Sequence, residues 1–531
     1  MVSRYVRRVR TASGAVAVQV VAKERGRVIE VDHVGSAHDD ASLELLMMAA
    51  RQRLLPGQDV LDLDGLQQTP ARMSDVADWT TRDASPAPEP GAAGRPRAVA
   101  AGGRLAGTSS LVLWDVLCSA YAHLGFERLG DDAFRAMALA RIIEPASKAE
   151  TVRVLDEIGA PCPSLRTLFR ALARTNERDY RGQLATAALA HSARTSGKAA
   201  LLMYDVTTLH FEVTDEDQWR RVGMSKEHRV DPQIQVGLLV DPSGFPLEVA
   251  AFEGNTAETT TLIPVLTQFQ ERHDVTDMVV VADAGMLSAG NLNALEDAGF
   301  SFIVGSRLTK APYDLADHFE RHGTHFTDGQ ILESTRVMGT GKNARQRRVV
   351  YQWSFKRNKR DNKNIDAMIT KAQRIADGKT PMKKARFLKV TGAAKELDQK
   401  LIDRARALAG LKGYVTSLPA EQRSGAEVIA AYHDLYKVEA SFRMVKSDLR
   451  ARPIFHHERD AIEAHLTVVF AALAVSRHLQ ATTGVSIKKL VKTLRKVRSG
   501  VVEINGQRLS LDPVIPADAQ AIIDAVTKSG H

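Results

Sequence analysis

AALLMYDVTTLHFE, residues 199–212, and DMVVVADAG, residues 277–285, decide the fold. Both are apolar, β-branched runs of strand length. Each carries a carboxylate: Asp205 follows Leu201, Leu202 and Met203, and Asp283 follows Val279, Val280 and Val281. A carboxylate set at a buried strand is costly unless it is paired or binds a metal. Between them lies QIQVGLLVDPSGFPLEVAAFEGN, residues 233–255, which reads as two strands joined by an Asp-Pro-Ser-Gly turn. Helices at 257–272 and 288–298 and a strand at FSFIVGSR, residues 300–307, complete the order β-β-β-α-β-α-β of an α/β fold.

Three strands, a helix and a strand open the ribonuclease-H-like fold. In that arrangement the middle of the first strand lies beside the end of the fourth, so Asp205 and Asp283 are expected within metal-sharing distance. Hard oxygen ligands of this kind suit Mg²⁺ or Mn²⁺ rather than zinc. Two such ions about 3.5–4 Å apart can activate a water or a 3′-hydroxyl and stabilise the leaving oxygen. YHDLYKVEASFRMVKSDL, residues 432–449, falls in a helix expected over 424–448. There Tyr432, Glu439, Arg443 and Lys446 recur at steps of seven and four, which return to one helical face. Such a face can hold metal and DNA phosphates together, whereas the blander alternative is an exposed helix with a Glu439–Arg443 ion pair. Thr207, Thr208 and Glu212 either line the same site or finish the strand. His456, His457 and His465 lack a clean i,i+4 pair and are not read as a metal site.

A chain of 531 residues exceeds one ordinary core, and two to four domains are expected. Hydrophobic residues at 44% and charged residues at 25% are globular composition, not disordered. Lys and Arg number 72 against 63 Asp and Glu, a net charge of +9, which makes nucleic acid the first candidate partner. Cys118 and Cys162 form no Cys-x-x-Cys pair, which argues against zinc fingers and a disulfide framework and fits a reducing cytoplasm. The basic N-terminus is followed by no apolar run, and no stretch of about 18 apolar residues occurs, so neither a secretory signal nor a membrane span is expected.

Residues 1–80 read as a β-hairpin within 4–34 followed by a helix at 40–53. Residues 81–109, rich in Pro, Gly and Ala, read as a linker. The region 110–197 reads as helical. Within SKAETVRVLDEIGAPCPSLRTLFRALART, residues 147–175, one helix ends at Gly159 and Ser164 caps the next. That second helix exposes Arg166, Thr167, Arg170 and Arg174 beside an apolar face of Leu165, Leu168, Phe169 and Leu172. It is similar to a helix-turn-helix, with an ordinary helical hairpin as the alternative. The catalytic core is assigned to 198–305 and 411–480, the latter with a strand at GYVTSLP and an apolar helix at 458–480. The segment 306–410 is an insertion, with strands at GQILESTRVMGT and RQRRVVYQWSF. Its residues 342–389 hold 16 Lys and Arg against 3 Asp, about +13, more than the whole chain's excess. Confinement of the charge to one segment favours a DNA-backbone channel over a solvated loop. Residues 481–531 read as a basic helix at 486–498, a short hairpin at VVEINGQRLSL and a tail.

SGAVAVQVV, HVGSAHDDASLELL, FEGNTAETT, ADAGMLSAGNL, FIVGSR and RPIFH, together with Tyr432, Glu439 and Lys446, carry a family resemblance over residues 4–475. The chain resembles the DDE transposases of bacterial insertion sequences, specifically the insertion-sequence-four superfamily and its insertion-sequence-1634 branch. The superfamily's Tyr-x-x-Arg-x-x-x-Glu-(six residues)-Lys signature is matched at Tyr432, Glu439 and Lys446. Its arginine position is occupied by Leu435, and Lys437 or Arg443 are the candidates to supply that charge. The resemblance implies a ribonuclease-H-like core with a β-rich insertion. It implies that Asp205, Asp283 and Glu439 are catalytic and hold two Mg²⁺ (or Mn²⁺) ions, and that Tyr432, Lys437, Arg443 and Lys446 contact DNA, with Arg166 and Arg170 added by the helical region. It also implies cut-and-paste transposition of double-stranded DNA by a homodimer on paired ends, in a bacterial cytoplasm at the nucleoid. In better-known members a tryptophan of the insertion stacks on a flipped base. Trp353 is the candidate here, although Tyr351, Trp353 and Phe355 at alternate positions also fit the packed face of a strand. Two other readings stay open: a junction-resolvase-like nuclease that cuts without joining, and a catalytically dead, DNA-binding repressor.

Overall fold

β-branched runs and alternating polarity give strands where the chain can bury one or both faces, and the first such run closes on itself. In the computed structural model, residues 2–10, 16–24, 27–37, 104–196, 201–213, 215–224, 230–286, 288–306, 315–381, 385–391, 394–504 and 507–529 are described. The chain divides into two units, Met1–Ala98 and Val99–His531. In the first, strands β1 (Val2–Arg10), β2 (Val16–Glu24) and β3 (Arg27–Ala37) form an antiparallel sheet in the order β1-β2-β3, one strand more than the expected hairpin. The helix expected at 40–53, and most of the linker, lie outside the described residues.

In the second unit, β4 (Arg104–Ser109) falls inside the stretch read as linker. Its backbone is recruited as the edge of a sheet by strands from the far end of the chain, a pairing no local signal announces. The helical region follows as α1 (Leu111–His123), α2 (Asp132–Ile143), α3 (Lys148–Ile158), α4 (Leu165–Glu177) and α5 (Tyr180–Ser196). Gly159 ends α3 in the left-handed conformation at φ 75°, and Ser164 Oγ accepts from Thr167 N at 3.2 Å to cap α4. Leu168, Ala171 and Leu172 bury the inner face of α4. The apolar face expected there is narrower than the sequence suggests, since Leu165 and Phe169 are 40% and 54% exposed beside the exposed Arg166 and Arg170. Arg174 turns inward, its Nη2 2.6 Å from the buried Asp131 carboxylate.

The central sheet holds eight strands. β5 (Leu201–His210), β6 (Gln233–Val240) and β7 (Pro246–Glu253) form an antiparallel meander. Helix α6 (Glu258–His273) then crosses to β8 (Val279–Ala282), which lies parallel to β5, and α7 (Ala289–Asp297) leads to β9 (Ser301–Ser306), parallel to β8. After α8 (Ala316–His322) come β10 (Ile331–Met338) and β11 (Arg345–Trp353). The long helix α9 (Phe355–Ala376), the small hairpin β12 (Leu388–Thr391) and β13 (Ala394–Leu397), and α10 (Gln399–Ala407) follow. The chain returns to the sheet as β14 (Leu411–Thr416), so the order is β10-β11-β14-β9-β8-β5-β6-β7. β8 is buried throughout, which is why VVVA reads as an unbroken apolar run, and β6 is equally buried although it carries Gln233 and Gln235.

Two expectations for 306–410 change. The segment is not β-rich: its helices of 7, 22 and 9 residues outweigh strands of 8, 9, 4 and 4. Nor is it separate from the core sheet, because β10 and β11 extend that sheet. What stands apart is the stretch from α9 to α10, which packs around a small core of its own: Ile365, Ala372, Phe387, Ile402 and Ala409. Phe355 is the first residue of α9 and is 60% exposed, so it does not share a strand face with Tyr351 and Trp353.

The helix expected over 424–448 is two, α11 (Gly425–His433) and α12 (Tyr436–Ser447), the first opened by a capping box of Ser424 and Glu427. Helix α13 (Arg459–Thr483) is long and apolar enough to cross a membrane, but 89% of its most apolar window is buried inside the protein, where it is the central core helix. The chain closes with α14 (Ile487–Leu494), β15 (Ser499–Ile504), β16 (Gln507–Leu511) and α15 (Ala517–Ser529), the last absent from the sequence reading. The sheet order β16-β15-β4 ties this end of the chain to the start of the helical region.

One buried carboxylate holds the helical region in register. Asp131 Oδ1 accepts from Ala133 N and Phe134 N at 3.1 and 3.0 Å, capping α2, while Oδ2 accepts from Arg174 Nε at 2.8 Å and Tyr180 Oη at 2.9 Å. Burial alone would raise its pKa, but these donors outweigh it and hold the carboxyl below the usual aspartate range. Asp131→Ala is therefore expected to destabilise the protein by about 1–3 kcal/mol in urea unfolding at pH 7. A depressed folded pKa contributes stability only while the carboxyl is charged. The gap between wild type and variant should accordingly close as pH falls below about 4. A gap of equal size at pH 3 would contradict this assignment.

Candidate functional site

The parallel pairing of β5 with β8 sets the site. Leu201, Leu202 and Met203 lie opposite Val279, Val280 and Val281. Asp205 follows two residues after the last paired residue of β5, Met203, and Asp283 two residues after its partner Val281, just past the end of β8. β5 is buried almost throughout and opens only at Asp205 and Thr208. β8 stops at Ala282, so Asp283 emerges at the C-terminal edge of the sheet, exposed.

Helix α12 packs across this edge. Val438, Ser441, Phe442, Met444 and Val445 are its buried face, and Ser441 Oγ donates to Gly244 O at 3.1 Å, fixing the helix on the β6–β7 turn. The opposite face carries Glu439, Arg443 and Lys446. These three line a cavity of about 370 Å³ together with Asp205, Thr207 and Arg452. Two carboxylates thus face three cations in one pocket. Larger cavities of about 590 and 650 Å³ exist elsewhere, and this one is singled out by its donor chemistry rather than its size.

Asp283 is not among the residues that line this cavity and is held separately. Its Oδ1 accepts from Ala284 N at 2.7 Å and from Tyr432 Oη at 2.9 Å. Both bonds fall on one oxygen and leave the other for a cation. The Tyr432 phenol is half-buried, and burial, with the neighbouring Asp283 charge adding to it, raises its pKa, so it remains a donor. Lys412 Nζ lies over the Tyr432 ring at 5.2 Å, and the ring packs on Gly305, where a Cβ would collide with the phenol. The three acids are not drawn to one point. Among the described residues, the group of His, Cys, Asp or Glu side chains whose ligand atoms all lie within 4.8 Å of one another consists of three histidines elsewhere.

Several sequence assignments are revised by this geometry. Tyr432 is not on the helix of Glu439. The chain breaks at Asp434 and Leu435, and Tyr432 reaches the site from the end of α11, through Asp283. Lys437 Nζ donates to Pro242 O at 2.6 Å and pairs with Asp434 at 3.0 Å, away from the cavity. Leu435, in the place of the signature arginine, is 7% exposed and belongs to the core, while Arg443 stands in the pocket. Arg452 was not singled out, although it opens the RPIFH stretch; its place in the pocket depends on a turn that only the folded chain shows. His456, His457 and His465 are engaged separately, with Lys148, Arg220 and the carbonyl of Ala451. Trp353 is half-buried, its Nε1 donating to Ala409 O at 3.0 Å and its ring stacked on Phe326 at 6.0 Å.

Comparison with known proteins adds an independent line. No curated protein matches the sequence. A cryo-EM structure of the piggyBac transposase synaptic complex with hairpin DNA aligns at a TM-score of 0.32 and 7% identity, covering 79% of this chain and 70% of that one. Residues 196–475, more than half of the chain and the span that carries all three acids, match the family described as Transposase DDE domain. The chain belongs to the DDE transposase family, enzymes that bind DNA, use divalent metal ions and act as polynucleotidyl transferases and nucleases.

Proposed function

We propose that this transposase cuts DNA at the ends of its element and joins those ends to target DNA, as in the insertion-sequence-four superfamily, with Asp205, Asp283 and Glu439 holding two Mg²⁺ or Mn²⁺ ions. The observation that carries this reading is the cavity that Asp205 shares with Glu439, together with the parallel pairing of β5 and β8 whose register runs toward Asp205 and Asp283. The order β7-β6-β5-β8-β9, with only β6 opposed to the rest of the core, supports the ribonuclease-H-like assignment. The donor set is all carboxylate oxygen, which fits hard cations. When bound, such ions supply Lewis-acid stabilisation of the charge that develops on the attacking and leaving oxygens.

The chain's own residues do the rest. Tyr432 orients Asp283 by donating to Oδ1. Arg443, Lys446 and Arg452 offer charge-assisted hydrogen bonds to phosphate oxygens beside the carboxylates. The exposed Arg166 and Arg170 on α4 are placed to contact the DNA end, and the cations along α9, among them Lys356, Lys359 and Lys363, the backbone further out. Lys437 acts as a positioning residue, anchoring α12 to the β6–β7 turn.

Asp205→Asn is expected to lower metal-dependent cleavage of end-containing DNA by about 10³-fold or more, since losing a metal ligand removes several kcal/mol of transition-state stabilisation. End binding in a gel-shift assay should persist, because the phosphate-contacting cations remain. Cleavage at the wild-type rate would sink the assignment. Strand transfer from a precut end distinguishes a transposase of this kind from a nuclease that only cuts.

Gly305→Ala tests the outer wall. The added Cβ must displace the Tyr432 phenol and free Asp283. We expect slower cleavage with a raised metal requirement, matched by Tyr432→Phe, and little change in DNA binding. Unchanged metal dependence in both variants would show that Asp283 does not need its tyrosine.

A further inference from the structure

Three histidines from three helices, one of them the core helix itself, meet beside the β6–β7 turn. His123 ends α1, His191 lies in α5, and His478 lies near the end of α13. One ring nitrogen from each falls within 4.8 Å of the other two. The ring centroids of His123 and His478 are 4.7 Å apart, and those of His191 and His478 are 5.1 Å apart. His191 and His478 are each only 5% exposed. His191 Nδ1 and His478 Nε2 are buried without a hydrogen-bond partner. Buried polar atoms are normally satisfied, so two orphaned imidazole nitrogens side by side call for a missing partner.

We propose that His123, His191 and His478 form a zinc site that clamps the helical region to the core helix. Neutral imidazole is a strong ligand for Zn²⁺, through its bare ring nitrogen. Here the rings are neutral at physiological pH: burial first, then His123 and Arg194, lowers His191 to about 4, and burial with the other two histidines lowers His478 to about 3. Burial likewise lowers His123. In tetrahedral coordination at Zn–N distances of about 2.0–2.1 Å the nitrogens would sit about 3.4 Å apart, so binding would draw them closer than their present separation of up to 4.8 Å and turn the stacked His123 and His478 rings out of parallel. The fourth position faces a cavity of about 650 Å³ lined by Thr195, Ser243, Arg477 and Gln480, leaving room for a water. Cys118, also on α1, is not part of the group. The site therefore has three nitrogen donors and no thiolate, and it differs in kind from the all-carboxylate site that suits Mg²⁺.

The chain, purified without a histidine tag and stripped with chelator, should be titrated with Co²⁺, followed by displacement with Zn²⁺ and metal analysis. The expected result is the visible absorption of tetrahedral Co²⁺, a stoichiometry of one per chain, and a rise in melting temperature on adding Zn²⁺. His123→Gln and His478→Gln should lose the absorption and the thermal shift, while Asp205→Asn keeps both. Circular dichroism checks the fold of each variant. If His478→Gln does not fold, His123→Gln decides, because its ring lies at a helix end and is only partly buried. Absence of a tetrahedral spectrum in the wild type, or its survival in a folded His123→Gln, overturns the proposal.

Discussion

The parallel alignment of β5 and β8 is the constraint on which the site depends. Main-chain hydrogen bonds between two buried strands fix which residues stand side by side, and a slip of one residue would turn every side chain to the opposite face. Because Met203 is held opposite Val281, Asp205 and Asp283 each follow two residues beyond the same paired position. The apolar residues preceding each acid are thus what positions it. They bury on both faces, leave the register no freedom, and carry the two acids to the same end of neighbouring strands.

Around that pair, the molecule uses helices to bring what the sheet cannot. Helix α12 is seated by its buried Val438, Phe442 and Val445, and by Ser441 and Lys437 on the β6–β7 turn, so Glu439 and the cations Arg443 and Lys446 face Asp205. Helix α11 ends where Tyr432 can reach Asp283, and Gly305 on β9 is bare so that its ring can lie there. The insertion begins from the same sheet. β11 and β14 form its root, and Trp353 pins that root by donating to Ala409. An indole with its N–H already satisfied and one face on Phe326 has a structural task in the free protein, which favours the packed reading of this tryptophan over a ring held open for a base.

Much of the core was legible because burial writes periodicity into sequence. β5 to β9 and the helices between them stand where apolar runs and turn residues put them. The three acids could be named from their strand and helix positions, and the match to the DDE transposase family covers the same span. The misreadings share a cause. A seven-residue step puts Tyr432 and Glu439 on one face of a single helix, but the chain breaks between them, and Tyr432 turns to Asp283 instead. The strand at 104–109 was read as linker because its partner lies about 390 residues away. The cations of 342–389 point to a DNA-backbone channel and give no sign of the small apolar core beneath α9, whose members are too widely spaced to form a pattern.

By itself, then, the sequence determined the order of the core elements, which acids stand at the ends of its buried strands, and the chemistry such acids could support. Local pattern and residue type are sufficient for these. Only the tertiary structure decided which cations share the pocket: Arg443, Lys446 and Arg452 are inside, and Lys437 is outside. It alone showed that Tyr432 acts through Asp283, and that His123, His191 and His478, spread over 356 positions, converge. Side chains far apart in sequence meet because separate helices each bury an apolar face against a common core. The direction of the remaining face is a property of that packing, which no stretch of the chain carries alone.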